Sequence, residues 1–154
     1  MRMRTLTAKA NVRELLQLLV RRFGLLQKDG AQCCGISVIQ SHVLYELGRR
    51  ANMSLNDLSA VLSVDNSTLS RQVQQLVEGD YVSRSPDPKD RRYVVLNLTP
   101  AGEEQSQVIA AAMEDYIEEL FQHIPVDKRD QVLESLRILT AAMNQSSDCC
   151  TPPM

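Results

Sequence analysis

The side chains best suited to chemistry in this sequence are hydrogen-bonding groups on one predicted helix, residues 65–79. A rotation of about 100° per residue places its apolar residues on one side and a polar set on the other. That polar set is Ser67, Thr68, Arg71, Gln74 and Gln75. Solvated helix faces usually carry Lys and Glu, whereas Ser, Thr, Gln and Arg bind base edges and phosphates. The pattern predicts a DNA-recognition helix.

Both ends of this helix have sequence signals. Asp65 can accept hydrogen bonds from the amides of the first turn, and Gly79 stands where a left-handed residue is expected to end the helix. The apolar stripe that would face the core follows helical spacing: Leu69, Val73, Leu76 and Val77.

A second group of reactive side chains consists of two adjacent thiol pairs: Cys33, Cys34, Cys149 and Cys150. Thiolates are soft ligands that prefer zinc, copper(I) or trivalent arsenic, and exposed thiolates of low pKa react with oxidants. The adjacent spacing differs from the C-x-x-C of zinc sites, and a free cysteine can equally be a small buried hydrophobe. The pairs are candidates for a metal, metalloid or redox site, with a structural role as the alternative.

The elements that must position the recognition helix lie directly beside it. Ser54 and Asp57 form a variant capping box for a short helix with Leu55, Leu58, Val61 and Leu62 inward. The tight link Ser63-Val64 then predicts a helix-turn-helix. Downstream, residues 81–84 and 93–98 read as two strands, and the tip between them holds two prolines and several charges. A projecting hairpin in this position is a wing.

Longer helices flank this region. Helical spacing predicts helices over residues 8–26 and 37–50, a helix of 25 residues from Pro100 to Ile124, and a last helix over 127–143, before a frayed tail from Asn144. The 25-residue helix would be roughly 37 Å long. Since a small core cannot cover its apolar side, a two-fold homodimer of intertwined terminal helices is expected. The alternative is a monomeric bundle.

Composition limits the class of protein. The 154 residues are 44% hydrophobic and 23% charged, as expected for one globular domain, and the four cysteines occur without an export signal. No run is long enough to span a membrane, which predicts a cytoplasmic protein.

The net charge of −2 is unevenly distributed, with seven basic and two acidic residues in 1–30 and three basic and ten acidic in 101–154. Because the acid is concentrated far along the chain from the recognition helix, attraction to DNA is retained, although non-specific binding should be weak.

Residues 55–102 resemble the MarR family of bacterial transcriptional regulators. The likeness lies in Ser67-Thr68-Leu69-Ser70-Arg71, in the segment 76–84, in Asp87-Pro88-Lys89-Asp90-Arg91-Arg92 and in Leu98-Thr99-Pro100-Ala101-Gly102. The resemblance implies a mainly α (α+β) fold, in which a winged helix-turn-helix over 37–99 joins dimerisation helices over 1–36 and 100–148. Residues 149–154 would form a flexible tail.

The resemblance also implies a homodimer that binds a near-palindromic operator in double-stranded DNA. Arg92 matches the wing arginine that enters the minor groove, and Asp90 matches the acid that orients it. Arg71 and Arg84 match positions that hold the phosphate backbone, and Arg91 is grouped with them as a wing contact. An arginine on a narrow hairpin suits a narrow groove of high negative potential. The alternative for Asp90 and Arg92 is a surface ion pair of little energetic value.

In such a dimer both thiol pairs would fall in the terminal-helix region. A soft metal, a metalloid, a small molecule or an oxidant acting there could release DNA by tilting the two winged helix-turn-helix regions away from their half-sites. A repressor with such an effector is the leading functional hypothesis. Two other classes stay open: a winged-helix protein-interaction module without DNA binding, and a thiol-dependent enzyme. No phosphate-binding loop, nucleophile elbow or zinc-protease motif supports an enzyme.

Overall fold

The computed structural model describes residues 11–24 and 35–145 of the chain. The four cysteines lie outside these residues. Helix α1 covers residues 11–24. The elements that follow are α2 (Val38–Arg49), α3 (Leu55–Leu62), α4 (Asn66–Glu78), β1 (Val82–Pro86), β2 (Val94–Leu98), α5 (Pro100–Gln122), a 3-10 helix (Val126–Lys128) and α6 (Arg129–Gln145). The predicted mainly helical fold with a winged helix-turn-helix is confirmed.

The helix-turn-helix begins where the sequence placed it. The hydroxyl of Ser54 accepts from the amide of Asp57, and the Asp57 carboxylate accepts from the Ser54 amide, which completes the predicted capping box. Helix α3 ends at Ser63, whose φ of 52° is left-handed and turns the chain toward α4. The Ser59 hydroxyl donates to the carbonyl of Val64 and holds this turn.

The end of α4 differs from the prediction. Gly79 has a φ of −81°, and Asp80 takes the left-handed conformation with a φ of 60°. The amide of Asp80 bonds the Val77 carbonyl, and the amide of Tyr81 bonds the Leu76 carbonyl, so the helix ends in a Schellman motif one residue later. A Cβ on Gly79 would lie 3.2 Å from the Tyr81 ring, so the lack of a side chain there allows close packing.

The wing is an antiparallel hairpin in which Val82 pairs with Leu98 and Pro86 with Val94. Strand β1 extends two residues beyond the predicted Arg84. The wing is fastened to the segment before α3, since the amide of Leu96 donates to the carbonyl of Met53.

The core lies in a compact unit that ends at Ala112. Residues of α2, α3, α4 and both strands are almost completely buried there: Val43, Leu44, Leu47, Met53, Leu58, Leu69, Val73, Leu76, Val82, Val95 and Leu96. The prediction that Val61 faces inward is wrong, because its side chain is 41% exposed. Leu55 and Leu62 pack against the core with Leu58, and their shared stripe lies about 90° from Val61.

A second compact unit begins at Met113 and holds the last part of α5, the 3-10 helix and α6. Helix α5 ends at Gln122 rather than at Ile124. The amides of His123 and Ile124, just before Pro125, bond the carbonyls of Leu120 and Phe121 three positions earlier, which is the 3-10 pattern rather than the α-helical one. No residue of α6 is buried.

Candidate nucleic-acid interface

The outer face of α4 carries the side chains predicted to read DNA. Because Leu69, Val73 and Leu76 are buried, the opposite side of the helix faces solvent. Ser67, Arg71, Gln74 and Gln75 are exposed, and Thr68 is half-buried. The predicted set therefore shares one surface of one helix.

The start of this face is fixed by Asp65. Its carboxylate accepts a bond from the Ser67 hydroxyl at 2.5 Å and from the Thr68 amide at 2.9 Å. These bonds hold the pKa of Asp65 far below its usual value, and the bond from the Ser67 hydroxyl is the largest cause. The capping carboxylate is therefore ionised at neutral pH. Arg71 bonds the Ser67 carbonyl through Nε at 3.4 Å, which leaves its two Nη nitrogens out of this contact.

Two asparagines tie the first turns of the helix-turn-helix together. The side-chain amide of Asn66 donates to Oδ1 of Asn56 at 3.0 Å. Neither residue was predicted from the sequence. The available signal was their shared place in the first turns of α3 and α4, the two helices that a tight turn brings side by side.

One edge of α4 faces the first turn of α2. The Ser37 hydroxyl donates to Oε1 of Gln72 at 2.7 Å, and Nε2 of Gln40 donates to Oε1 of Gln75 at 2.9 Å. Gln75 was predicted as a DNA contact, and its amide oxygen is engaged within the protein. Ser37 was predicted as the cap of α2, which the structure confirms, but its contact with Gln72 and that of Gln40 with Gln75 were not predicted. A helical wheel does not show which neighbouring helix lies beside an edge.

The wing tip presents an arginine that is already oriented. Arg92 Nε lies 3.0 Å and 3.1 Å from the two carboxylate oxygens of Asp90, and Nη2 lies 2.6 Å from Oδ2. This pairing lowers the pKa of Asp90 and raises that of Arg92, so both remain charged at neutral pH. The Arg92 side chain is nevertheless 84% exposed, which leaves it accessible to a ligand.

The remaining predicted contacts are also on the wing. Arg84 lies in β1 and Arg91 lies beside Arg92 at the tip, and both are exposed. Lys89 is exposed as well, and its amide donates to the Asp87 carboxylate at 2.7 Å. The wing thus carries four exposed cations, which is suited to a phosphate backbone.

The other predicted site, the thiol pairs Cys33-Cys34 and Cys149-Cys150, lies outside the described residues. Within residues 11–24 and 35–145, no group of three or more His, Cys, Asp or Glu side chains is arranged to hold a metal ion. No helix in the same residues is long and apolar enough to cross a membrane.

Residues 36–94, which include the helix-turn-helix and most of the wing, match the family model of the MarR family. The likeness to the MarR family is therefore shown for this segment of the chain. YsmB of Bacillus subtilis, an uncharacterized HTH-type transcriptional regulator, is 32% identical over 79 residues, which cover 51% of this chain and 52% of YsmB. The match therefore spans about half of that relative's length.

Solved MarR-family structures share the fold over most of this chain. A MarR transcriptional regulator from Methanosarcina mazei Go1 superposes with a TM-score of 0.77 at 26% identity, covering 88% of this chain and 98% of that one. A cysteine-to-serine mutant of Escherichia coli MarR, complexed with operator DNA, gives a TM-score of 0.71 at 25% identity over 84% and 93% of the two chains. The predicted resemblance to the MarR family is confirmed.

Proposed function

We propose that this chain is a non-enzymatic transcriptional repressor of the MarR type that binds a near-palindromic operator as a homodimer in the cytoplasm. The observation that carries the proposal is the combination of the exposed polar face of α4 with the Asp90-oriented Arg92 at the wing tip. The E. coli relative that superposes on this chain is bound to operator DNA, which supports the same use of the fold here.

In this proposal α4 enters the major groove. Gln74 offers an amide suited to bidentate bonding with adenine, and Arg71 can bond guanine or a phosphate. Ser67 and Thr68 lie at the start of the helix, where recognition helices contact bases and backbone. Arg92 enters the minor groove, and Arg84 and Arg91 contact phosphates beside it.

Dimerisation is supported by apolar side chains that one chain leaves exposed. Those on α1 are 46–72% exposed: Val12, Leu15, Leu18, Leu19, Val20 and Phe23. Those on α6 are 39–61% exposed: Leu133, Leu136, Ile138 and Met143. Burying one such apolar side chain contributes about 1.5–3 kcal/mol of favourable free energy. A second copy of the chain that covered these faces would therefore be bound by the hydrophobic effect.

We further propose an effector that releases DNA through the thiol pairs. The support is chemical: Cys33-Cys34 and Cys149-Cys150 are soft donors suited to trivalent arsenic, zinc or copper, or to oxidation. Cys33-Cys34 falls within the segment 1–36 proposed for dimerisation, and Cys149-Cys150 directly follows the segment 100–148. A new bond at these thiols would alter the spacing of the two DNA-binding regions of the dimer.

The deciding experiment is selection of bound duplexes from a random DNA pool by the reduced protein. We expect an inverted repeat with half-sites about one helical turn apart. Arg71→Ala and Arg92→Ala should each weaken binding of the selected site about tenfold or more, since good groove contacts contribute about 1–3 kcal/mol.

Arg137→Ala is the matched control. It removes one exposed cation from α6, far along the chain from the reading surface, which consists of the exposed face of α4 and the wing. The variant should bind DNA within about twofold of wild type. If no sequence is enriched at low salt, or if the three arginine variants behave alike, the DNA-binding proposal fails and a protein-interaction module replaces it.

A further inference from the structure

We propose that the first turn of α2 positions the recognition helix, and that Gln75 acts through Gln40 rather than on a base. This inference rests on the proposed function and names the positioning residues of that same site. It gives a function to three residues behind the reading surface: Ser37, Gln40 and Gln72.

The four side chains form one connected hydrogen-bond network. Oε1 of Gln40 accepts from the Ser37 amide at 2.8 Å, and the Ser37 hydroxyl accepts from the Gln40 amide at 3.2 Å. Both side chains also reach α4: the same Ser37 hydroxyl donates to Oε1 of Gln72 at 2.7 Å, and Nε2 of Gln40 donates to Oε1 of Gln75 at 2.9 Å. The cap of α2 and the position of α4 are therefore coupled.

Two bonds one helical turn apart restrain the helix in a way that its apolar side cannot. Burial of Leu69, Val73 and Leu76 holds α4 against the core, but hydrophobic contact has no preferred direction. Hydrogen bonds weaken steeply when they are misaligned. Gln72 and Gln75, three residues apart on one edge, thus fix the rotation and tilt of α4 about its buried stripe.

The engagement of Gln75 also separates it from Gln74. Bidentate recognition of adenine by glutamine uses both the amide oxygen and the amide nitrogen, and the oxygen of Gln75 already accepts from Gln40. Gln40 is only 7% exposed, so breaking this bond would leave a buried donor without its partner. Gln74 bonds the exposed Glu78 on its own helix and can exchange that carboxylate for a base.

The test is a double-mutant cycle on operator binding with Gln40→Met, Gln75→Met and the double variant. Methionine keeps the length and helix propensity of glutamine but cannot form these bonds. Each single variant should weaken binding of the selected operator by about threefold to tenfold, the equivalent of one buried hydrogen bond. The double variant should bind as the weaker single variant does, because both substitutions break one link.

Two further measurements separate positioning from simple destabilisation. Non-specific DNA binding at low salt depends on phosphate charge, so it should stay within about twofold in all three variants. Gln40→Glu should keep operator affinity close to that of the wild-type protein, unlike Gln40→Met. The glutamate carboxylate can still accept from the Ser37 amide, and it can accept from the side-chain amide of Gln75 once that group has rotated. Gln107→Met, at an exposed position of α5, is the matched control for the glutamine-to-methionine change.

The outcomes distinguish this inference from the function on which it rests. The inference is overturned if Gln40→Met binds the operator like wild type, or if the losses of the two single variants multiply in the double variant. It is also overturned if specific and non-specific binding fall together. If the wild-type protein selects no DNA sequence at all, the proposed function fails first, and the inference fails with it.

Discussion

Gly102, in the first turn of α5, lies directly against the backbone of Tyr81. A Cβ on Gly102 would overlap the Tyr81 carbonyl oxygen and stand 2.9 Å from the carbonyl carbon. Thr99 reinforces this approach, because its amide donates to the same Tyr81 carbonyl at 3.1 Å and its hydroxyl accepts from the Gly102 amide at 3.0 Å. The start of α5 is thereby held against the segment that follows α4.

We therefore expect Gly102→Ala to destabilise the fold by about 1–3 kcal/mol, the usual cost of overpacking, despite the better helix propensity of alanine. Gly24→Ala in α1 is the matched control, because nothing lies within 4 Å of its Cβ position. That variant should be neutral, or stabilised by up to about 1 kcal/mol. Chemical denaturation of both variants measures the difference, and equal stabilities would contradict the close approach.

The pairing of Asp90 with Arg92 predicts an unusual effect of removing a negative charge. Asp90→Asn should weaken operator binding about twofold to tenfold, since ordering a free arginine side chain costs about 0.5–1.5 kcal/mol on binding. Asp87→Asn removes the same charge from the same wing tip while keeping an acceptor for the Lys89 amide. It should bind DNA as well as wild type or better.

Measuring the operator affinity of both variants at several salt concentrations tests whether Asp90 acts by orienting Arg92 rather than through its charge. Because both lose one negative charge, their salt dependence should be alike, and only Asp90→Asn should lose affinity at every salt concentration. If the two variants gain affinity equally, Asp90 does not orient Arg92 for DNA.

The capping carboxylates predict how stability depends on pH. Hydrogen bonds from Ser67 to Asp65, and from Ser54 to Asp57, lower the pKa of each carboxyl below the usual 3.8. Since the folded pKa is the lower one, this stabilisation is fully present above about pH 4 and is lost as the pH falls toward the folded value. Thermal unfolding between pH 7 and pH 2.5 should show the loss.

Asp65→Ser provides the control for this pH dependence. A serine can cap α4 without a carboxylate, so the variant should lose less stability than wild type over the same acid range. An identical pH profile for the variant and wild type would exclude Asp65 as a contributor.

The thiol proposal predicts that operator affinity and release can be separated. Cys33→Ser and Cys34→Ser should leave affinity of the reduced protein within about twofold while reducing release by arsenite or peroxide, because serine cannot supply a soft donor. Release is measured by fluorescence anisotropy of labelled operator. If both variants respond like wild type, the cysteines have a structural role.

Much of the reading head could be predicted because its signals are local. The capping box of Ser54, the cap Asp65 and the polar face of α4 depend on residues close together in the chain, and the structure places each of them as expected. The ion pair of Asp90 and Arg92 spans two residues, and the family motif identified it. Their role on DNA stays a prediction.

The order of elements and the residues on the exposed face of α4 follow from the amino-acid sequence alone, since helical periodicity, caps and turn residues act over a few positions. Which residues lie beside each element depends on the three-dimensional fold: Gln40 contacts Gln75, Gly102 lies against Tyr81, and Asp80 rather than Gly79 is the left-handed residue. These contacts join residues whose placement follows from the packing of whole helices. One-dimensional periodicity identifies which face of a helix is buried, but it carries no information about which neighbour buries it.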